Sequence, residues 1–317
     1  MMTLQAIKAA YEAENGMSLM RAIDKETSGN YKRALLSLLF PSQEAYVAYG
    51  IFKSFEGMGT NERRLSRLLG GTDKKKIFKV NDYYVETYGS TIKEDLKEES
   101  SGNFRKACTF WVGGDDPTGG LEYVTEVPLE DEEDEDALKD RAKALLQERT
   151  NILDFICQVD AGDVRDACKG LGTSDKRLIS VICGRTKSHL HRVDEYYHSL
   201  FNMSLEQQIK RETHGSYEKF MRYTLMAEED FDAYMLKKAM DGLGTNESLI
   251  ISVLAPKSNE SILAARERHD TKYNESLMDR LKSELHGATE DCVLELIKGE
   301  RDTSEEVSRE GPSDSSD

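Results

Sequence analysis

The sequence is poor in the residues that mark several classes of protein. Of its 317 residues, only five are proline and one is tryptophan, which excludes collagen-like and proline-rich low-complexity chains. No run approaches the roughly 18 apolar residues of a membrane-spanning helix, and the N-terminus lacks the apolar core of a signal peptide. We therefore expect any contact with a membrane to be peripheral.

Cysteine and positive charge are also scarce. The cysteines are five in number and lack CxxC spacing, which fits reduced thiols in the cytoplasm better than a disulfide framework or a zinc site. Lysine and arginine total 43 against 59 acidic residues, so the formal net charge is −16. A field of that sign repels phosphate backbones, and we expect no nucleic-acid partner.

A short motif is present three times. Copies of Gly-x-Gly-Thr begin at Gly57, Gly170 and Gly242. An acid-x-x-Gly motif follows each copy, with its acid 39 residues after the threonine every time; these acids are Glu99, Glu212 and Glu284. An earlier acid-x-x-Gly at Glu26 has no loop before it. The spacing indicates four repeats of about 72 residues, the first of them incomplete.

The residues after each loop place leucine, isoleucine and valine at helical spacing, and no alternating strand pattern occurs. The fold class is therefore predicted to be all-α, with the loop threonines as N-caps of the helices that follow. The expected segments are a partial repeat at 1–40, a repeat at 41–112, an inserted acidic linker at 113–137, repeats at 138–227 and 228–300, and a disordered acidic tail at 301–317.

Glycine-rich loops leave backbone carbonyls uncovered, and a distant carboxylate brought beside them adds an anionic oxygen. Calcium accepts six to eight such oxygens at flexible geometry, whereas magnesium requires a regular octahedron. A single loop of this kind is more often only a tight turn, but three copies with a fixed acid favour Ca²⁺. The coordination positions that remain are open to water or to lipid phosphate.

The hexapeptides GMGTNE, GLGTSD and GLGTNE, with their acids in KEESSG, KRETHG and KSELHG, resemble annexin repeats over most of residues 1–300. The resemblance implies an array of five-helix repeats of about 70 residues, and the alpha-giardin-like branch is one candidate within that family. It also implies that loop carbonyls and the downstream acid hold calcium. Position by position, the implied metal ligands are Phe55, Gly57, Gly59 and Glu99; Cys168, Gly170, Gly172 and Glu212; and Met240, Gly242, Gly244 and Glu284.

The sequence departs from the annexin pattern at two positions, because Glu56 and Asp241 stand where a lysine usually precedes the loop. Glu26 lacks a loop, and we assign it no ion. Further ions could use the acids of the first helical turn, Glu62, Asp175 and Glu247. The middle loop residues are apolar, and either insert between lipid headgroups or fold back onto their own helix; they are Met58, Leu171 and Leu243.

These features predict calcium-dependent peripheral binding to anionic phospholipid membranes, with calcium bridging the loops and the lipid phosphates. The chain would be cytoplasmic and would move to membranes when calcium rises. The alternative is a calcium-independent scaffold associated with cytoskeletal proteins, as for some annexin-like protist proteins. No P-loop, HExxH or Gly-x-Ser-x-Gly motif occurs, so we do not expect an enzyme. His189 and His191 are interpreted as surface residues.

Overall fold

The computed structural model describes residues 2–57, 59–113, 135–170 and 172–301. These residues form eighteen α-helices and no strand, which confirms the all-α prediction. Up to residue 113 the helices are α1 (Met2–Asn15), α2 (Leu19–Glu26), α3 (Gly29–Leu38), α4 (Gln43–Phe55), α5 (Glu62–Gly71), α6 (Lys74–Tyr88), α7 (Ile92–Glu99) and α8 (Gly102–Gly113).

From residue 135 onward they are α9 (Glu135–Ala167), α10 (Asp175–Ile182), α11 (Lys187–Phe201), α12 (Leu205–Glu212), α13 (Gly215–Thr224), α14 (Glu228–Met240), α15 (Glu247–Leu254), α16 (Asn259–Tyr273), α17 (Leu277–Glu284) and α18 (Gly287–Lys298). None of these described helices is both long and apolar enough to cross a bilayer.

The chain divides into two compact units, one of Met1–Val47 with Glu228–Asp317 and the other of Ala48–Ala227. The boundary falls inside α4. Most of the expected acidic linker (residues 114–134) and of the expected tail (302–317) lies outside the described residues, as do Met58 and Leu171.

In the unit of Ala48–Ala227, α13 packs against α5 and α8, and α9 packs against α10 and α11. The only tryptophan, Trp111, is fully buried and meets Phe220 edge-on, with ring centroids 6.4 Å apart. Gly70 lets α5 and α13 approach closely, since a Cβ there would lie 2.8 Å from Cβ of Tyr223. A larger residue at position 70 would have to push the two helices apart.

Two buried lysines link the two halves of the same unit. Nζ of Lys74, at the start of α6, donates to the carbonyl of Cys183 at 2.9 Å, just after α10 ends. Nζ of Lys187, at the start of α11, donates to the carbonyl of Gly70 at 2.7 Å, at the end of α5. Each ammonium therefore lies at the negative end of a helix in the other half, where a positive charge is favourable.

In the unit that holds residues 228–301, α3 packs against α15 and α18, and α14 packs against α15 and α16. Ala34 and Leu39 are buried there. A buried ion pair joins Lys257 and Asp232 at 2.7 Å, near the N-terminus of α14. Residues of the segment 1–40 thus contribute to the core of this unit.

The short helix that carries each acid begins after a left-handed residue. These residues end the preceding helix ten positions before the acid; they are Gly89 (φ 77°), Asn202 (φ 51°) and Asn274 (φ 50°). Only glycine and asparagine adopt this conformation readily. Because the turn has the same position in each repeat, α7, α12 and α17 present their last residue at the same place.

Candidate metal centres

The three Gly-x-Gly-Thr loops share one backbone arrangement. They connect α4 to α5, α9 to α10, and α14 to α15. Each is closed by a backbone hydrogen bond across the loop, from Asn61 to Ser54 (2.8 Å), Ser174 to Ala167 (2.8 Å) and Asn246 to Ala239 (2.7 Å). The donor is in each case the residue after the loop threonine, so the repeated motif specifies a repeated turn.

Every loop glycine in the motif has a positive φ. The values are 101° and 84° at Gly57 and Gly59, 94° and 96° at Gly170 and Gly172, and 114° and 84° at Gly242 and Gly244. No atom lies within 4 Å of a Cβ built on any of them. Backbone conformation rather than crowding therefore requires glycine here, and the space around the peptide groups is open.

The loop threonines do not cap the following helices, contrary to the sequence prediction. The N-cap is one residue later in each case, at Asn61, Ser174 and Asn246. The Asn61 side chain accepts from the amide of Arg64 at 3.0 Å. The prediction was wrong because Asn and Ser are as good N-caps as Thr, although the Ser174 side chain makes no capping hydrogen bond. Each threonine hydroxyl is therefore available for another contact.

That contact is with the acid 39 residues later. Thr173 Oγ1 donates to Oε2 of Glu212 at 2.5 Å, and Thr245 Oγ1 donates to Oε2 of Glu284. Thr60 instead donates to the backbone carbonyl of Glu99. The constant spacing therefore has a direct physical cause, a contact between the threonine and the acid that the spacing alone does not reveal.

Glu212 and Glu284 differ in the group that binds their second carboxylate oxygen, Oε1. Oε1 of Glu212 accepts from Nε2 of the buried Gln208 at 3.1 Å. Oε1 of Glu284 is 2.9 Å from Nη2 of Arg280, which also donates to the carbonyl of Met240 at 3.2 Å. A side-chain cation therefore lies between two of the predicted calcium ligands in the loop at Gly242.

Glu99 is more exposed than the other two acids. The residue four positions before it is Asp95, where the other repeats have Gln208 and Arg280. Asp95 does not turn toward the loop, since it accepts hydrogen bonds from the hydroxyls of Tyr84 and Ser90. The Glu99 carboxylate is therefore the least constrained of the three.

The remaining implied ligands contribute backbone carbonyls at helix ends. Met240 is buried, Phe55 is half-buried, and Cys168 is half-buried with a thiol whose pKa is raised by burial. A neutral thiol is a poor ligand, so only the carbonyl of Cys168 suits a hard cation. Within the described residues, no group of three or more His, Cys, Asp or Glu side chains could hold a metal, which leaves backbone oxygens as the main donors here.

Two acids of the first helical turn, expected as sites for further ions, are held in helix packing. Oδ2 of Asp175 accepts from Nδ2 of Asn103 at 2.7 Å, and Oε2 of Glu247 accepts from Nδ2 of Asn30 at 3.0 Å. Among the loop tips, Leu243 is fully exposed. It does not fold back onto its helix.

The surface interpretation is correct for His191, which is 70% exposed and lies 3.5 Å from Glu195, but wrong for His189. His189 is buried, with Nε2 2.8 Å from Oδ2 of Asp160, and Arg185 also contacts this carboxylate at 2.6 and 2.8 Å. Burial alone would raise the pKa of Asp160, but the hydrogen bonds from His189 and Arg185 lower it. The arrangement is a buried link between α9 and α11.

A family model described as Annexin matches four segments of the chain, at residues 3–38, 46–111, 159–223 and 231–296. Annexin A6 of Rattus norvegicus is 26% identical over 303 residues, which is 94% of this chain and 45% of the relative. The chain thus spans about half the length of annexin A6. Annexin A13 of Mus musculus is 29% identical over 297 residues, 92% of this chain and 84% of the relative.

Solved structures of similar fold include a point mutant of annexin A8 that has an intact N-terminus, with a TM-score of 0.76 and 23% identity, over 93% of this chain and 84% of that one. Calcium-bound alpha-14 giardin has a TM-score of 0.71 and 17% identity, over 93% and 88% of the two chains. At these identities the likeness concerns the fold alone.

Proposed function

Because this chain belongs to the annexin family, whose members generally bind phospholipids in a calcium-dependent manner, we propose that its loops at Gly57, Gly170 and Gly242 bind calcium and attach it to anionic phospholipid membranes. The ligands are the loop carbonyls and the carboxylates of Glu99, Glu212 and Glu284. The chain is in the cytoplasm and is recruited to membranes when calcium rises.

One observation carries this proposal. Nη2 of Arg280 contacts both the carbonyl of Met240 and the carboxylate of Glu284. The two predicted ligands therefore already converge on one positively charged group, as they would on a metal ion. The open space around Gly242 and Gly244 leaves room for a cation with its own water or lipid ligands.

Calcium supplies the charge that makes membrane contact favourable. At a net charge of −16 the chain is repelled by an anionic bilayer. A divalent ion at each loop reverses the sign locally, and phosphate oxygens complete its coordination shell. The fully exposed Leu243 then enters the headgroup layer.

Sedimentation with phosphatidylserine vesicles tests the proposal. We expect the chain to pellet with calcium and to remain in the supernatant with chelator. A triple variant, Glu99→Gln, Glu212→Gln and Glu284→Gln, should need much more calcium. The matched control is Glu98→Gln, Glu195→Gln and Glu267→Gln, which changes the net charge equally at exposed sites and should behave as wild type. Equal pelleting with chelator and with calcium would contradict the proposal.

The alternative of a calcium-independent cytoskeletal scaffold stays a prediction from the sequence, because the similar alpha-14 giardin structure is described as calcium-bound and the likeness to it concerns the fold alone. Cosedimentation with filaments in chelator separates the two functions. Filament binding in chelator, without binding to vesicles in calcium, would favour the scaffold.

A further inference from the structure

A basic pocket of ≈ 700 Å³ lies along α7 and α8, and no loop glycine lines it. Besides Gly113 at the end of α8, its lining residues are Lys93, Lys97, Arg105, Lys106, Thr109 and Phe110. Four of them are cations and none is an acid. In a chain of net charge −16, such a concentration of positive charge needs an explanation.

These cations have no carboxylate partner within 4.0 Å among the described residues. Arg105 donates to the backbone carbonyls of Lys97 (3.3 Å) and Ser100 (3.4 Å), and Lys106 is 3.4 Å from the side-chain oxygen of Asn103. The carboxylate of Glu94, on the same helix as Lys97, is bound by the amide and hydroxyl of Thr91. Among the described residues, the positive charge of the pocket is therefore not neutralised by an ion pair.

The corresponding helices of the next repeat, α12 and α13, show what normally fills this place. Arg222 lies between two acids there, with Nη2 2.6 Å from Oε1 of Glu206 and Nη1 3.0 Å from Oε1 of Glu218. Relative to the acid Glu212, Glu206 stands six positions before, Glu218 six positions after and Arg222 ten positions after. One cation thus bridges two anions between the helices.

At the same positions relative to Glu99, α7 and α8 carry Lys93, Arg105 and Thr109. Both anions are replaced by cations, and the bridging arginine is replaced by a short polar residue. Compared with α12 and α13, the two outer charges have the opposite sign and the central charged residue is absent. An anion between Lys93 and Arg105 would restore the same bridge with opposite signs.

Two further details fit an anion at this position. Oγ1 of Thr109 is a buried atom without a hydrogen-bond partner, although buried hydroxyls ordinarily have one. Gly113 also keeps the pocket open beside Lys93, because a Cβ there would lie 3.2 Å from Nζ of that lysine. The pocket lining therefore contains two cations and, just beneath its surface, an unpaired hydroxyl that reaches a ligand once the Thr109 side chain rotates.

The combination of Lys93, Arg105 and Thr109 has no counterpart in the remaining two pairs of helices, α2 with α3 and α17 with α18. On α17 and α18 the corresponding positions hold Met278, Glu290 and Leu294. On α2 and α3 they hold Met20, Lys32 and Leu36, and Lys32 is paired with Asp24 at 3.0 Å. The inverted pattern is thus a property of α7 and α8 and not of the repeat.

We propose that this pocket binds a multiply phosphorylated anion without calcium. One phosphate group lies between Lys93 and Arg105 and accepts from the Thr109 hydroxyl, as the guanidinium of Arg222 lies between its two acids. Lys97 and Lys106 bind a second phosphate. The half-exposed ring of Phe110 forms an apolar side of the pocket. The ligand is either a soluble polyphosphate or the headgroup of a phosphoinositide, which share this chemistry.

Titration calorimetry in chelator tests the proposal with sodium tripolyphosphate as the soluble probe, at an ionic strength of about 0.15 M to screen diffuse attraction. Flotation with vesicles of phosphatidylcholine containing phosphatidylinositol 4,5-bisphosphate, also in chelator, tests the lipid source. We expect one site per chain for at least one probe. Because neither assay contains calcium, its result is independent of the calcium-dependent function proposed above.

The decisive variant combines Lys93→Glu, Arg105→Glu and Thr109→Arg, which copies the arrangement around Arg222. It should fold, because the new arginine can bridge the new acids, and it should bind the probe at least about tenfold more weakly. If it does not fold, Lys93→Gln with Lys106→Gln removes two charges at exposed positions and should give a similar loss. The control is Lys210→Gln with Lys282→Gln, the exposed counterparts of Lys97, and it should bind as wild type.

The proposal would be overturned if the wild type bound neither probe, or if the triple variant at Lys93, Arg105 and Thr109 folded and bound as the wild type does. A third outcome concerns the acidic run EDEEDED at 130–136. If wild type binds neither probe but a variant with serines in place of that run binds tripolyphosphate, the chain's own acids compete for the pocket. The proposal of an external ligand would then be wrong.

Discussion

The loops at Gly170 and Gly242 have the same backbone but different neighbours around the acid. In both, a threonine hydroxyl holds the carboxylate. The carboxylate is also bound by a neutral amide, Gln208, in the first loop and by a cation, Arg280, in the second. In the proposed calcium sites, the residue four positions before the acid thus determines whether the ion would meet a net negative charge or compete with a guanidinium.

Two loops with the same proposed ligand set therefore need not bind calcium equally. Among the described residues no side-chain cation forms an ion pair with Glu212, so its full charge is available to calcium in the proposed site. The charge of Glu284 is offset by Arg280, which must move before an ion can use the Met240 carbonyl. We therefore expect the loop at Gly170 to bind calcium more tightly than the loop at Gly242.

Removing the acids one at a time should give the largest effect. Glu212→Gln should raise the calcium midpoint for vesicle binding about tenfold, since an anionic ligand is lost while the side-chain volume is kept. Glu284→Gln should raise it only about twofold, because the weaker site contributes less. Vesicle sedimentation at graded calcium measures both. Equal shifts would contradict the ranking of the two loops.

Exchanging the neighbouring residues should reverse the ranking. Arg280→Gln removes the competing cation and should lower the calcium midpoint of the Gly242 loop about threefold to tenfold, while Gln208→Arg should raise that of the Gly170 loop by a similar factor. Calorimetric titration of calcium without lipid measures this directly. If Arg280→Gln weakens calcium binding, the arginine is a support of the site and not a competitor.

Leu243 should influence the membrane step alone. Leu243→Ser should weaken vesicle binding about threefold to tenfold, because part of one leucine side chain is then no longer withdrawn from water. Calcium binding measured without lipid should not change. Adding Met58→Ser and Leu171→Ser should increase the loss for vesicles. Unchanged vesicle affinity would mean that the loop tips stay outside the headgroup layer.

The smallest effects are expected at the two asparagines that hold the first-turn acids. Asn103→Ala and Asn30→Ala should each lower the free energy of unfolding by about 1 kcal/mol, since one partly buried hydrogen bond to a carboxylate is lost. Urea unfolding measures this. The calcium midpoints should stay within about twofold of wild type. A larger change would show that Asp175 or Glu247 takes part in ion binding.

The sequence predicted the helical fold and the pairing of each loop with an acid, because both depend on short-range pattern and on repetition. It did not predict the threonine contact, since Thr, Asn and Ser are all good N-caps and only the packing of the loop against the acid's helix decides between them. The cation at Arg280 was also missed. Its signal, a basic residue four positions before the acid on the same helix, was visible.

The burial of His189 could not be read from the sequence. Its role depends on Asp160, which lies 29 residues earlier on α9 and meets it only when α9 packs against α11. Polar contacts that join separate helices were therefore hidden unless, like the pairing of loop and acid, they recur at a fixed spacing. The charge inversion at Lys93 and Arg105 became informative only through the ion pairs of Arg222.

The buried lysine at the start of α6 gives the unit of Ala48–Ala227 an internal chemical marker. Lys74 is 2% exposed, whereas the next residue, Lys75, is exposed. An amine-reactive reagent will therefore modify the second of two adjacent lysines and spare the first for as long as α6 stays packed against the end of α10. Mass spectrometry of a single peptide can then follow the opening of this unit, with the two amines serving as probe and internal reference.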